Sequence, residues 1–523
     1  MLSLREKIGQ LFVCGFYGTE PSPEIRALIE NGGLGGVVYF RRNVRDPEQV
    51  RRLSDELQRM ARERGLPPLA IAIDQEGGMV SRLVRGVTPM PGAMAIAAAG
   101  DPDDAYRAAR SVGRELRALG ITWNFAPCLD VNCNPRNPVI GVRSFGGSPE
   151  AVAEFGVRQI AGYQDAGVAA TAKHFPGHGD TDVDSHLGLP RVGHSPERLE
   201  RVELAPFRRA VEAGVDAIMT AHVVFPAYEP TGVPATLSRS VLTGCLRERL
   251  GFEGLVVTDC LEMQAISRTV GVAEGAVRAI AAGADLVLVS HTYEWQKAAM
   301  EAVVEAVRRG ELGEDRIERS VERVLRWKER RGMGRPSEDG LETLLAPEHV
   351  AVCRRICERA VTMVRDGGDL PLDRGEPVLV VWPEVRVRTE VDEPSEETET
   401  LGFWLERAGM RVEERRVGLC PDELEAESVL EACGRYSQAV LLAYNAPFYP
   451  EQVRLIRQVS ERMRCRPGVR LVGVSVRNPY DAPLFEGIGT FLACYENRPE
   501  MMRALAGVLL GECSARGRLP VAM

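Results

Sequence analysis

At 523 residues the chain is longer than one hydrophobic core organises, so two domains are expected, at least one of them large. Its formal net charge of -9 and pI near 5.6 argue against nucleic acid or an anionic membrane as partner, because both favour a basic face. No apolar run is long enough to span a bilayer, although a local basic patch stays compatible with the overall balance.

The first residues, Met1-Leu2-Ser3-Leu4-Arg5-Glu6-Lys7, lack the charged segment, apolar core and small-residue cleavage site of a signal peptide, so a cytoplasmic location is expected. From there to about residue 330, short continuous apolar runs alternate with longer amphipathic segments, as strands buried on both faces alternate with covering helices. Eight runs stand out, at residues 11–16, 36–40, 69–74, 121–127, 168–175, 216–222, 255–259 and 285–290. Helices are expected over 46–64, 101–119, 149–165 and 196–213, several opened by Asp-Pro or Ser-Pro start signals. Eight such units predict a (β/α)8 TIM-like barrel over residues 1–335. Barrel enzymes carry their chemistry at the carboxyl ends of the strands. Asp74, Asp130, Lys173, His174, His222 and Asp259 all stand at or just beyond such ends.

The periodicity breaks at Gly332-Met333-Gly334-Arg335-Pro336, and a linker is expected over 336–346. A second α/β pattern fills 347–523, with strands near 377–382, 411–417, 438–444, 470–476 and 490–495 and helices near 398–408, 421–434, 450–464 and 499–511. This predicts a smaller three-layer α/β/α sandwich. It holds no glycine-rich turn of the dinucleotide or P-loop kind. The acidic run at 393–399 reads as a solvated loop. The 12 cysteines are scattered and read as reduced thiols. Cys353 and Cys357 are one helical turn apart, but no second Cys/His pair nearby completes a zinc site.

The densest polar stretch runs from Lys173 through His174, Phe175, Pro176, Gly177, His178, Gly179, Asp180, Thr181, Asp182, Val183, Asp184 and Ser185 to His186, where a barrel strand becomes a loop. Four of the seven histidines fall between 174 and 194, and only four of the 65 basic residues are lysines, which makes Lys173 conspicuous. Convergence of His174, His178 and His186 on a metal is one reading, but their spacing matches no helical His-Glu-x-x-His arrangement. Bracing of the loop by those imidazoles is another. At the seventh strand tip Asp259 places a carboxylate below the rim, and with a Brønsted acid from the fifth-strand loop it makes a constellation for glycoside cleavage.

The stretch 173–186 resembles the signature of glycoside hydrolase family 3 β-N-acetylglucosaminidases, whose Asp-x-His end separates them from the β-glucosidases of that family. Phe40-Arg41-Arg42-Asn43, Ile73-Asp74-Gln75-Glu76-Gly77-Gly78, Arg143-Ser144-Phe145-Gly146 and the Thr-Asp-x-Leu-x-Met form of 258–263 support the resemblance. Asn478-Pro479-Tyr480-Asp481 and Gly517-Arg518-Leu519-Pro520-Val521 extend it over nearly the whole chain. It implies a retaining glycosidase without metal or cofactor, acting on a small-molecule glycoside; in the cytoplasm peptidoglycan turnover fragments are the expected source, with chitin oligosaccharides and glycoconjugate remnants as alternatives. By the same resemblance Asp259 is the nucleophile and His186 the general acid/base, held by Asp184. Asp74 binds outer hydroxyls of the terminal sugar, while Arg143, Lys173 and His174 line the ring and its 2-acetamido side. Met79 stands where the family usually has arginine, which puts the rim beside the sugar in question. Imidazole suits the role of an acid that must also act as base near neutral pH, and a carboxylate two residues earlier fixes its tautomer. Asp259 must remain anionic, so Arg143 and Lys173 are expected to hold its pKa low.

Three other readings are distinguishable. A phosphorylase of the same family would use phosphate in place of water. A Schiff-base aldolase would need Lys173 in an apolar pocket that lowers its pKa. A non-catalytic sugar-binding protein would have no need of Asp259, Asp184 and His186 together.

Overall fold

The computed structural model describes residues 2–385 and 398–523. Eight parallel strands close into a barrel, β1 Phe12–Cys14, β2 Gly36–Tyr39, β3 Ala70–Ile73, β4 Trp123–Asn124, β5 Ala169–Phe175, β6 Ala217–Thr220, β7 Leu255–Cys260 and β8 Leu286–Val289. Each lies inside one of the expected runs or exceeds it by a single residue, and nearly every strand residue is buried, as strands covered on both faces must be. The sheet closes where Phe12, Val13 and Cys14 pair with Val287, Leu288 and Val289.

The covering helices begin where short polar side chains accept from the first turn. Asp46 caps Pro47–Glu63, Asp101 caps Pro102–Ala118 and Ser148 caps Pro149–Asp165, each followed by proline at the position that needs no N–H. The helix expected over 196–213 is instead two, Pro196–Arg201 and Ala205–Glu212. Pro206 cannot donate to the preceding turn, and the intervening Glu203 is drawn inward to accept both bonds from Arg198, at 2.8 Å each.

The second domain is a six-stranded sheet. Its strands are β9 Thr362–Arg365, β10 Val378–Glu384, β11 Val412–Gly418, β12 Gln438–Ala443, β13 Arg470–Ser475 and β14 Thr490–Ala493, in the order β9-β14-β13-β12-β10-β11. All neighbours are parallel except β9 on β14, and β9 is the strand that periodicity did not announce. Alternate side chains enter different cores. Val378, Val380, Trp382, Val440 and Leu442 join the cluster that continues into the barrel, whereas Leu379, Val381, Ala439 and Leu441 face the helices Glu423–Cys433 and Pro450–Arg464.

Helix Pro347–Ala360 packs on Ala93–Ala99 and Pro102–Ala118 of the barrel domain as well as on Pro499–Leu509. Polar contacts seal the junction: Gly92 N donates to Glu496 (3.0 Å), Val142 N to Asn478 (2.9 Å) and Gly147 N to the Pro520 carbonyl (3.0 Å). Among the described residues no helix is long and apolar enough to cross a membrane. Positions 393–397 of the acidic run lie outside the described residues.

Candidate active site

The carboxyl ends of the barrel strands surround a cavity of about 280 Å³, lined among others by Asp74, Glu76, Arg143, Lys173, His174, His186 and Asp259. Its floor is a buried charge network. At the end of β5, Lys173 Nζ lies 2.8 Å from Asp74 Oδ1 and 2.7 Å from Glu76 Oε1. Glu76 is carried by a short hairpin, Gln75–Gly77 with Val80–Ser81, directly after β3. The guanidinium of Arg143, presented by the turn Gly141–Arg143, grips it with two bonds of 3.0 and 2.8 Å. Burial alone would raise the Glu76 carboxyl, but Arg143 and Lys173 outweigh it and hold Glu76 well below the usual carboxylate range. Burial likewise opposes the charge on Lys173, and Asp74 and Glu76 more than offset it, so the ammonium is stabilised. An amine held protonated by two carboxylates does not suit Schiff-base chemistry.

The imidazoles do not converge on a single point. His174 Nδ1 meets Asp130 Oδ2 at 2.7 Å, and Asp130 also accepts from the backbone N–H of His174 (3.2 Å) and of His178 (2.6 Å) and from the Cys128 thiol (3.1 Å). His178 is held between Thr181 Oγ1 at 2.8 Å and Ser185 Oγ at 2.9 Å, and burial pushes its pKa down to about 4, which makes it a neutral brace. His186 belongs to the exposed part of the loop. Its Nδ1 lies 2.7 Å from Asp184 Oδ1, which also accepts from the His186 backbone N–H at 2.8 Å. Burial raises the Asp184 carboxyl, but its bonds to His186 prevail and bring it below the ordinary value. The groups close enough to share an ion among the described residues are Cys128–Asp130–His174 and Cys133–Asp180–Glu203, and neither includes His178 or His186. Gly179 lets the loop lie against the strand-to-loop segment before it, since a Cβ there would meet the Val131 carbonyl oxygen at 1.9 Å.

Asp259, on β7, accepts from the Cys260 N–H at 2.7 Å. Burial works to raise its pKa, and the neighbouring imidazoles of His222, His174 and His186 more than reverse that. This corrects the expectation that Arg143 and Lys173 keep Asp259 anionic; their charges are directed at Glu76 and Asp74. Met79 is buried and lines a separate small cavity with Gly92, Tyr495 and Glu496, while Arg82, three residues on, lines the main one. The departure from the family pattern at Met79 therefore lies behind Glu76 and Arg143, which line both cavities.

The profile of the glycosyl hydrolase family 3 N-terminal domain matches residues 3–327. The chain belongs to glycoside hydrolase family 3. A family 3 structure described as a β-N-acetylglucosaminidase, from Paenibacillus sp. str. FPU-7, is 53% identical with a TM-score of 0.96, covering 100% of this chain and 99% of that one. β-Hexosaminidase A of Pseudoalteromonas piscicida is 31% identical across 95% of this chain and 91% of its own length. A β-hexosaminidase of Alkalilimnicola ehrlichii is 42% identical over 52% of this chain and 78% of its own.

Of the residues expected to catalyse or to bind sugar, Asp74, Arg143, Lys173, His174, His186 and Asp259 line the cavity, and Asp184 holds His186. Glu76, Arg42 and Glu262 stand within the motifs without an expected role, and His291 lies outside them. Glu262 accepts from His291 N (2.7 Å), Thr292 N (3.0 Å) and Thr292 Oγ1 (2.8 Å), and so fixes the loop after β8. Arg42 reaches the same loop through the Ser290 carbonyl at 2.7 Å and His291 Nδ1 at 3.0 Å. A signal for Glu76 existed: two cations expected in one buried site call for an anion beyond Asp74.

Proposed function

We propose that this family 3 hydrolase removes terminal β-linked N-acetylglucosamine with retention, by double displacement. The observation that carries the reading is one cavity lined by both the Asp259 carboxylate and the imidazole of the His186–Asp184 pair. The 53% identity to a chain described as a β-N-acetylglucosaminidase supports the sugar assignment. Asp74, Lys173, Arg143 and His174 offer the terminal sugar a wall of donors and acceptors. Asp259 attacks the anomeric carbon and forms the glycosyl ester, while the imidazolium of His186 gives its proton to the departing oxygen. Asp184, accepting from Nδ1, keeps the other ring nitrogen directed outward and stabilises the positive ring. The neutral ring then takes a proton from the incoming water.

The natural aglycone we propose is the muramic acid residue of peptidoglycan turnover fragments, GlcNAc-β-1,4-(anhydro)MurNAc. An imidazole in place of a carboxylate repels an incoming phosphate less, which keeps phosphorolysis as the second reading. Incubation with an aryl β-N-acetylglucosaminide and with that disaccharide, each with and without phosphate, tests all three points. Free N-acetylglucosamine from both, unaffected by phosphate, is expected. N-acetylglucosamine 1-phosphate as product would replace hydrolysis by phosphorolysis, and no turnover of either substrate would overturn the assignment.

A further inference from the structure

A second cavity, of about 220 Å³, lies at the opposite end of the barrel, where Gly120 and Thr122 lead into β4. Its walls are the helix Pro47–Glu63, the last turn of Pro102–Ala118 and the segment 334–337 by which the chain leaves the barrel domain. Four guanidinium groups line it, Arg51, Arg62, Arg117 and Arg335, against one carboxylate, Asp55. Asp55 is already engaged by Arg51, 3.0 Å away across one helical turn. Among the described residues the side chains of Arg62, Arg117 and Arg335 make no hydrogen bond and no ion pair.

Arg62 and Arg335 reach into solvent, but Arg117 is largely withdrawn from it. Burial weakens its hold on its proton and Arg51 adds repulsion, while the attraction of Asp339 offsets only part of this. Asp339 is itself bonded to Arg114 at 2.9 Å. A guanidinium taken out of water without an acceptor costs free energy that an anion from outside would return. The turn carrying Arg335 passes close to Pro68, since a Cβ on Gly334 would meet Pro68 Cβ at 2.6 Å. The Ser337 hydroxyl accepts from Asp339 N at 3.2 Å, which leaves its proton to donate.

The geometry points to a binding site for a small phosphate monoester, held between Arg117 and Arg335, with Arg62 and the Ser337 hydroxyl at its edge. Planar guanidinium forks match phosphate oxygens in pairs, and a dianion answers three guanidinium groups that have no hydrogen-bonded acceptor. The cavity of about 220 Å³ leaves room for a phosphate with a small organic group. Bound there, the ester would tie the exit turn to the barrel floor, remote from the glycosidase mouth.

Titration calorimetry on the full chain with glucose 6-phosphate tests this, with glucose and inorganic phosphate as comparators. One saturable site is expected for glucose 6-phosphate, weakened by added salt, with inorganic phosphate weaker and glucose silent. Arg117→Gln and, separately, the exposed Arg335→Ser should each weaken binding about tenfold, the loss of one charge-assisted contact, and leave kcat/KM on an aryl glycoside within about twofold. Arg335→Ser carries the test if Arg117→Gln fails to fold. No saturable binding up to about 10 mM, affinity unchanged by both substitutions, or equal affinity for inorganic phosphate would overturn the proposal.

Discussion

Asp259 and His186 face the same cavity from different supports, a strand tip for one and a loop for the other, and each support imposes a test. Asp259→Asn keeps the bond to Cys260 N, but an amide cannot form the glycosyl ester, so kcat on an aryl glycoside should fall by more than about a thousandfold with the fold intact. His186→Ala should separate substrates by leaving group. An activated phenol departs without a proton, so glycosylation of Asp259 stays fast with a nitrophenyl glycoside and nearly stops with a disaccharide. Deglycosylation then lacks its base, a burst of phenol appears, and azide, which needs no deprotonation, restores turnover and yields the β-glycosyl azide. Asp184→Asn should give a milder form of the same pattern. Equal losses on both substrates, without burst or azide product, would show that His186 only binds or braces. The placement of Asp259 at a strand end and of Asp184 two residues before His186 was legible in the sequence, whereas the roles proposed for them came from the family resemblance. The partner of Arg143 was not, since Glu76 reaches it across 67 positions of chain.

At the scale of elements, continuous apolar runs identified all eight barrel strands, because burial on both faces leaves no polar alternation to confuse with a helix. Strand β9 escaped notice for the opposite reason: it is four residues long, lies at the sheet edge and is mostly part-exposed. The segment between β4 and Pro149 was harder still, since it is held by side-chain bonds more than by regular structure. Asp130 is the clearest case. It joins that segment to the start of the catalytic loop by accepting from His174, His178 and Cys128. Asp130→Asn sets an amide N–H against those donors, so a loss of about 3 kcal/mol in stability is expected. Unlike His186→Ala, it should lower kcat on nitrophenyl glycoside and disaccharide by similar factors, because it displaces the loop without removing the proton carrier. A leaving-group dependence like that of His186→Ala would contradict this positioning role.

Over the whole molecule, the domain order was legible but the depth of the junction was not, because each half of the interface reads locally as ordinary core. The core of the barrel continues through helix Pro347–Ala360 into the sheet, and Val142, beside Arg143, gives its N–H to Asn478. A chain ending near residue 340 keeps every catalytic group but loses that support, and should be insoluble or, if folded, inactive on aryl glycosides; an active soluble barrel would refute the dependence. Two buried ionisable groups, one in each domain, make a further prediction. Asp481 accepts from Ser475 Oγ and Ala446 N, and burial lifts its carboxyl to about 7. Unfolded it titrates at about 3.9, so between about 4 and 7 the unfolded chain has released a proton that the folded chain keeps, and its contribution to stability falls as pH rises. Lys328, bonded to Gln10 Oε1 and the Gly35 carbonyl, is pushed down by burial to about 7. Unfolded it titrates at about 10.4, so from about pH 7 to 10 the unfolded chain holds the extra proton and the contribution rises with pH. Each group therefore costs stability where it carries its charge inside, and both costs are largest near neutrality. Thermal midpoints across pH should show Asp481→Asn gaining on wild type from about pH 4 to 7 and levelling above. Lys328→Met should hold its greatest advantage, or smallest deficit, below pH 7 and lose ground towards pH 10. Lost hydrogen bonds shift either curve by a constant, so slope is the readout, and curves parallel to wild type would mean that the two groups titrate in the fold as they do in the open chain.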